Sequence, residues 1–384
     1  MLRDVKTMVS DGPLGFAAAM DAVQGGAGWI FCFPVTAHHG GHSERGREDR
    51  EGRRYPYGER RSHQRLPGGH SDDSPRRSQH RRTFTFSSTA PAMTNGDVLA
   101  VADKLKAFSQ AFEFIHIVGE SGLPLWQAMS ESQRELMDTY HKPAFVLLEA
   151  APPAAEADLH DWAFQMEADR RKVRNSNIQV CAAWGQLVRL DGTTQAVNLA
   201  GLVSGRYAMA PVQESIGKTR IEAGYGFPQN RLLKLLPEGY DSTIIELLDN
   251  AGYLTVREYD GLDDRYVYHT KMMCPDGSDY RYAEDVRVRN KIIREVRKTA
   301  LQFKNDDIDL ENIQGELETR AKFIAAPLDR MVESKELSSY EITVLDGHEK
   351  TFLEDETMRI KLRYLSRGYI REVSIDLGRA PVST

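Results

Sequence analysis

Between residues 97 and 183 the apolar positions alternate between two spacings. Val98, Val101, Leu105 and Phe108 recur at helical intervals behind Asp97, which the pattern predicts as the N-cap. FEFIHIV (Phe112 to Val118), AFVLLEA (Ala144 to Ala150) and the run Ile178 to Ala183 are compact and apolar on both faces, as buried strands are. Helical stretches from Pro124 to Thr139 and roughly from Ala155 to Arg174 separate them. Strands of this kind interleaved with helices predict an α/β domain, with a mainly parallel sheet and helices on both faces.

From Gly239 the pattern changes. Ser242 or Thr243 caps a short helix, IIELLDN, that Gly252 ends; YLTVREY and RYVYHTKMM then read as strands. A long helix runs from Ala283 to about Phe303. A second carries Leu317, Ala321, Ile324 and Leu328 on one face, with Pro327 expected to kink or break it. Strict alternation then predicts three closing strands, through Ile342 and Val344, through Met358, Ile360, Leu362 and Tyr364, and through Val373, Ile375 and Leu377. The expected organisation is an N-terminal arm (1–20), an irregular Arg-rich stretch (21–92), an α/β central domain (93–283), a smaller α+β C-terminal domain (284–366) and a C-terminal arm (367–384).

Composition changes this picture in one place. The 384 residues carry a formal charge of -6, yet residues 41–82 hold twelve Arg, no Lys and seven acidic residues, so this stretch is +5 and the rest -11. With Leu66 its single aliphatic residue, the stretch cannot offset its ordering entropy and reads as disordered. A nucleic-acid tail is one reading, with Tyr55 and Tyr57 to stack on bases, but the acidic residues dilute it and the body is acidic. A GC-rich gene read out of frame gives the same composition; peptides from Gly41 to Arg82 recovered from the native protein would refute that hypothesis. The opening MLRDVKTMVSDG is charged where a secretory signal is apolar, and no run is apolar enough to span a bilayer, so cytoplasmic synthesis is expected. Cys32, Cys181 and Cys274 are too scattered for a disulfide framework or zinc knuckle and read as buried thiols.

Candidate chemistry fails on spacing. SIGKTR (Ser215 to Arg220) ends like a phosphate-binding loop but has Val212 where that loop needs Gly. VGESG (Val118 to Gly122) lacks GxGxxG spacing and reads as a turn from strand to helix. The acidic run Asn305 to Glu318 has Asn312 where a calcium loop needs Gly, and reads as a solvated loop with helix-capping carboxylates. Six His (His38, His39, His42, His63, His70 and His80) lie in or beside the Arg-rich stretch; His116 reads as a satisfied core residue, and His141, His160, His269 and His348 show no HExxH pairing. No catalytic residue, metal ligand or cofactor is assigned. A nucleotide-dependent α/β enzyme and a nucleic-acid-binding protein remain as alternatives.

Gly239 and Asp241, LDNAG (Leu248 to Gly252), REYDG (Arg257 to Gly261), RVRN (Arg287 to Asn290) and ESKELSSYEITV (Glu333 to Val344) together resemble the contractile tail sheath proteins of phages and phage-like injection machines. VSDGPLGF (Val9 to Phe16) is similar to that family's N-terminal arm. The resemblance implies a structural, non-enzymatic subunit of a virion tail or phage-like particle, assembled in the bacterial cytoplasm. It further implies hexameric rings stacked around a tail tube, with baseplate and tail terminator proteins as partners and neither membrane nor nucleic acid. It implies inter-subunit strand exchange through Asp4, Val5, Lys6, Thr7, Met8 and Val9 and through Glu372, Val373, Ser374, Ile375, Asp376 and Leu377, and a basic tube-facing helix with Lys322, Arg330 and Lys335 as candidates.

Overall fold

A computed structural model describes residues 6–10, 29–34, 82–88, 94–108, 111–189, 191–345 and 348–378. Most of the Arg-rich stretch, with its six His, lies outside them. Strands β1 (Lys6–Ser10), β2 (Trp29–Pro34), β3 (Arg82–Ser88), β4 (Phe112–Ser121), β5 (Phe145–Ala150) and β6 (Ile178–Cys181) form one sheet in the order β1-β3-β2-β4-β5-β6. β4, β5 and β6 are parallel, as the βα alternation predicts. The β1–β3, β3–β2 and β2–β4 ladders are antiparallel, which corrects the expectation of a mainly parallel sheet. Pairing direction depends on which sheet edge the chain returns to, and periodicity does not encode that. β2 and β3 also place paired strands within the stretch 21–92, read above as irregular.

The buried β4–β6 strands serve two cores because successive side chains alternate across the sheet. Ile115, Ile117, Val146, Leu148, Ile178 and Val180 face α1 (Asn95–Lys106), α2 (Leu123–Asp138), α3 (Leu159–Val173) and α5 (Ser242–Asn250). Phe114, Phe145 and Leu147 face the opposite way, toward α4 (Ala200–Met209), the start of α6 (Ala283–Ala300), and a three-stranded antiparallel sheet of β7 (Trp184–Val188), β8 (Thr194–Asn198) and β9 (Leu232–Leu236). The Phe114 and Phe145 rings stack across the parallel ladder with centroids 5.1 Å apart.

Two helix starts differ from expectation by local hydrogen bonding. Thr94, not Asp97, caps α1: its hydroxyl accepts from the Asp97 amide at 3.3 Å, and Asp97 accepts from the Thr94 amide at 2.9 Å. The bond from the Thr94 amide first, and then that from the Thr94 hydroxyl, which donates to Asp97 Oδ2 at 2.7 Å, hold the Asp97 carboxyl below its ordinary range. Asp241, not Ser242 or Thr243, caps α5, accepting from the Thr243 and Ile244 amides at 2.9 and 3.1 Å. The strands expected at 253–259 and 265–273 shorten to β10 (Val256–Arg257) paired with β11 (Tyr266–Val267).

In the C-terminal domain α6 packs against α7 (Ile313–Glu333) over Val288, Ile292, Leu328 and Met331. α7 continues through the buried Pro327, so the break allowed for there does not occur. The carbonyl that loses its bond there belongs to Phe323, an exposed residue, so water can replace the missing donor. β12 (Ser339–Val344) and β13 (Ile360–Leu365) form an antiparallel ribbon, with α8 (His348–Asp355) between them in sequence. The third closing strand is absent: Val373–Leu377 pairs with nothing among the described residues.

Candidate assembly surface

The described residues place the sequence motifs in structural roles. His116, fully buried, lies with Nε2 3.0 Å from Glu149 Oε1 and Nδ1 2.9 Å from Ser204 Oγ. That order of groups imitates a nucleophile, base and carboxylate, but Ser204 is sealed in the core and can meet no substrate. The Gly119 amide donates to Glu149 Oε2 at 3.1 Å; β4 bulges here and continues to Ser121, so the turn expected at VGESG is a strand irregularity, with Gly122 as the N-cap of α2. Gly217 of SIGKTR approaches the Val267 and Tyr268 carbonyls so closely that a Cβ would meet them at 3.0 and 3.2 Å; a short 3-10 turn follows, not the helix a phosphate loop opens. The acidic loop does not cap α7, since Asn312 at its N-cap makes no side-chain bond; Asp306 instead pairs with Arg320 at 3.3 Å. Cys181 and Cys274 are buried free thiols, their titration pushed up by burial, and Cys32 lies in β2. No group of three or more His, Cys, Asp or Glu among the described residues could hold a metal, and no helix there is long and apolar enough to cross a membrane.

The RVRN segment ties the C-terminal domain to the central one. Arg287 is 1% exposed. Its Nε donates to Glu113 Oε1 at 2.5 Å, and its other nitrogens donate to the carbonyls of Tyr207 (3.1 Å), Ala210 (2.9 Å) and Pro211 (3.3 Å). Asn290, fully buried, donates to Asn177 Oδ1 at 3.2 Å. Glu113 was the overlooked partner; a lone acid in the apolar run FEFIHIV was its signal. Asp249 of LDNAG is likewise buried beneath Lys271 and His269, at 3.3 and 3.0 Å. Gly239, Gly252 and Gly261 occupy the positive-φ conformation that side chains resist.

The assembly candidates lie at the chain's ends and on α7. Lys6 to Val9 are in β1, paired with Phe86 to Thr83 of their own chain at the sheet edge; Asp4 and Val5 lie outside the described residues. Lys322 and Arg330 lie on the solvent face of α7, but Glu318, Asp329 and Glu333 share it, so the face is mixed in charge; Lys335 follows the helix at φ 59°. The ribbon alternates: Tyr340, Ile342, Val344, Ile360, Leu362 and Tyr364 are half-buried, and their neighbours in sequence point outward. Tyr340, Leu362 and Tyr364 pack on the α6–α7 core. Among the described residues the ribbon has two strands, which leaves one main-chain edge open on each side.

Beyond the ribbon the chain is held twice and then released. The Tyr369 hydroxyl donates to the Gln213 carbonyl at 2.6 Å, and Arg371 pairs with Glu284 in the first turn of α6. Glu372 to Gly378 are all exposed, with Val373, Ile375 and Leu377 at 74%, 82% and 92%. Among the described residues nothing covers these three large aliphatic side chains, which project at strand spacing.

Asp285, beside this root, is raised to about 6, by burial first and then by the Glu284 carboxylate, against the opposing pull of Arg371. Since the folded value lies above the ordinary 3.8, the folded protein holds this proton more tightly. That stabilisation is full below about pH 4 and is lost as pH rises through about 6. Asp285→Asn is therefore expected to add about 1 kcal/mol near pH 8, after discounting for solvent screening, and almost nothing near pH 4. Urea unfolding at the two pH values checks this; an equal gain at both would contradict it.

No curated protein matches the chain in sequence. Among solved structures, a chain of the anti-feeding prophage baseplate, determined with sixfold symmetry, is 14% identical and shares the fold with a TM-score of 0.52, covering 75% of this chain and 74% of that one. The contracted sheath complex of an extracellular contractile injection system (14% identity, TM-score 0.45) covers 62% of this chain and 64% of its own. The sheath tail protein of Desulfitobacterium hafniense (14%, 0.49) covers 68% of this chain and 60% of its own. Against these last two, then, the chain spans less than two thirds of the relative's length. In sequence, the model of the DUF2586 N-terminal domain matches residues 2–269 and that of the DUF2586 C-terminal domain residues 279–382, so with nearly its whole length accounted for, the chain belongs to the DUF2586 family.

Proposed function

We propose that this protein is the sheath subunit of a contractile tail or phage-like injection machine, polymerising as stacked rings around a tail tube. The observation that carries the reading is the pairing of an uncovered alternating arm, Glu372 to Leu377, with an open two-stranded ribbon on the same domain. An arm that adds to the ribbon of another copy gains main-chain hydrogen bonds and buries Val373, Ile375 and Leu377, with the alternation setting register. Because donor and acceptor surfaces differ, each copy can both give and receive, and the contact propagates as rings or helices. The fold shared with a baseplate protein of a prophage supports this reading.

Contraction in this scheme is a rigid-body rotation of subunits, with the arms as flexible links and the energy stored in the assembled lattice. The buried Arg287 and Asn290 clamps keep each subunit's two domains moving as one body. The N-terminal strand could exchange only by leaving its partner β3. Lys322, Arg330 and Lys335 would face the tube.

Electron microscopy of the purified full chain tests all of this. Hollow tubes or stacked rings are expected, with Lys322, Arg330 and Lys335 on the inner wall; dispersed single subunits at high concentration would sink the proposal, and an outer-wall position would remove those three residues from it.

A further inference from the structure

We infer that Tyr282, Glu284, Tyr369 and Arg371 form a clasp that fixes the root of the C-terminal arm to its own subunit, so that the arm is free to join another copy only from Glu372 onward. Arg371 lies over the rings of Tyr282 and Tyr369, 3.8 and 4.6 Å from their centroids, and its NH2 group donates to Glu284. The planar guanidinium suits this site because it can stack and pair at once. Tyr369 adds its bond to the Gln213 carbonyl, while Ile370 between them is 87% exposed, so successive side chains grip, project and grip.

Glu284 makes the clasp costly to open. Its side chain is 1% exposed and also accepts from the Thr270 hydroxyl, and among the described residues its ion pair is with Arg371. Lifting Arg371 away would strand a buried carboxylate beside the half-buried Asp285, which is far more costly than freeing an exposed tail. Residues 372 to 378 have no such hold. The six residues from Glu372 to Leu377 reach roughly 20 Å when extended, so the clasp also limits how far away a ribbon that receives Val373, Ile375 and Leu377 can stand.

The role as an arm root rests on the sheath reading; the clasp itself can be tested without assembly. Full-length chain is kept dispersed, as verified by sedimentation, and treated briefly with trypsin, with products read by intact mass. Arg367 is exposed and Arg371 is engaged, so cleavage after Arg367 should be at least about tenfold faster than after Arg371, as for sites differing in local opening. Glu284→Gln removes the counter-charge, and Arg371→Lys keeps a trypsin site but loses the stack. Each should speed cleavage after residue 371 about tenfold relative to residue 367. The second variant keeps the positive charge at a partly exposed residue, so it reports even if the first fails to fold. Equal cleavage at the two sites in the unmodified protein, or no change in Arg371→Lys, overturns the clasp. A chain that shows the protected site yet builds no tubes would overturn the sheath reading and leave the clasp standing.

Discussion

Replacing Arg287 with methionine is expected to lower the unfolding free energy by about 3–5 kcal/mol, the usual cost of removing one partner from a buried ion pair. The guanidinium satisfies Glu113 and three main-chain carbonyls, those of Tyr207, Ala210 and Pro211. Methionine fills much of the volume but donates nothing, so a buried carboxylate and the carbonyls lose their donor together. Lysine should recover only part of the loss, because one ammonium cannot reproduce a planar fork spread over four acceptors. Urea denaturation followed by circular dichroism gives the number, and a loss under about 1 kcal/mol would show that water or repacking replaces these bonds. Replacing Glu113 by leucine in the same chain should return much of the stability, since the partners are then removed together. A large loss in the single variant with substantial recovery in the double one would identify Arg287 as a coupling between domains whose value depends on Glu113.

Truncation after Arg371 is expected to leave the subunit's thermal midpoint almost unchanged and to abolish or greatly weaken assembly. Of the residues removed, the described part, Glu372 to Gly378, is exposed throughout and in no strand. Placed in another copy's ribbon, Val373, Ile375 and Leu377 would each bury an aliphatic side chain worth about 2 kcal/mol, and the ladder would add about 1 kcal/mol per hydrogen bond. Ordering seven residues costs about 1 kcal/mol each, which leaves a few kcal/mol per link, or between tenfold and several hundredfold in affinity. Sedimentation against concentration measures it: the critical concentration for polymer should rise at least about tenfold in the truncated chain. Serine at 373, 375 and 377 should reproduce most of the defect, whereas alanine at Glu372, Ser374 and Asp376 should cost little, because only one face of the added strand is buried. Polymer that forms equally well without these residues would remove the arm from the assembly contact.

How much of this was legible in advance follows from how far each interaction reaches along the chain. The helices α1, α2, α3, α5, α6 and α7 and the strands β4, β5 and β6 were readable because each is written in the spacing of its own apolar residues. Their caps were misplaced by a few residues, at Thr94 and Asp241, since a cap depends on which side chain reaches which amide. The strand pattern of 373–377 was also legible, but alternation states a capacity to pair and names no partner. The resemblance likewise marked Arg287 and Asn290 without giving their reason.

By itself, the sequence determined most of the helices, the buried strands β4 to β6, the α/β character of that segment and the lack of a spaced catalytic or metal motif, all of which rest on residues close together in the chain. Tertiary structure alone decided the antiparallel half of the main sheet, the burial of Arg287 against Glu113 at a sequence separation of 174, the sealing of Ser204 beside His116, and the clasp joining Arg371 to Glu284. The physical reason is that a buried charge takes its value from its partner and its distance from water, and both are fixed only when remote segments meet.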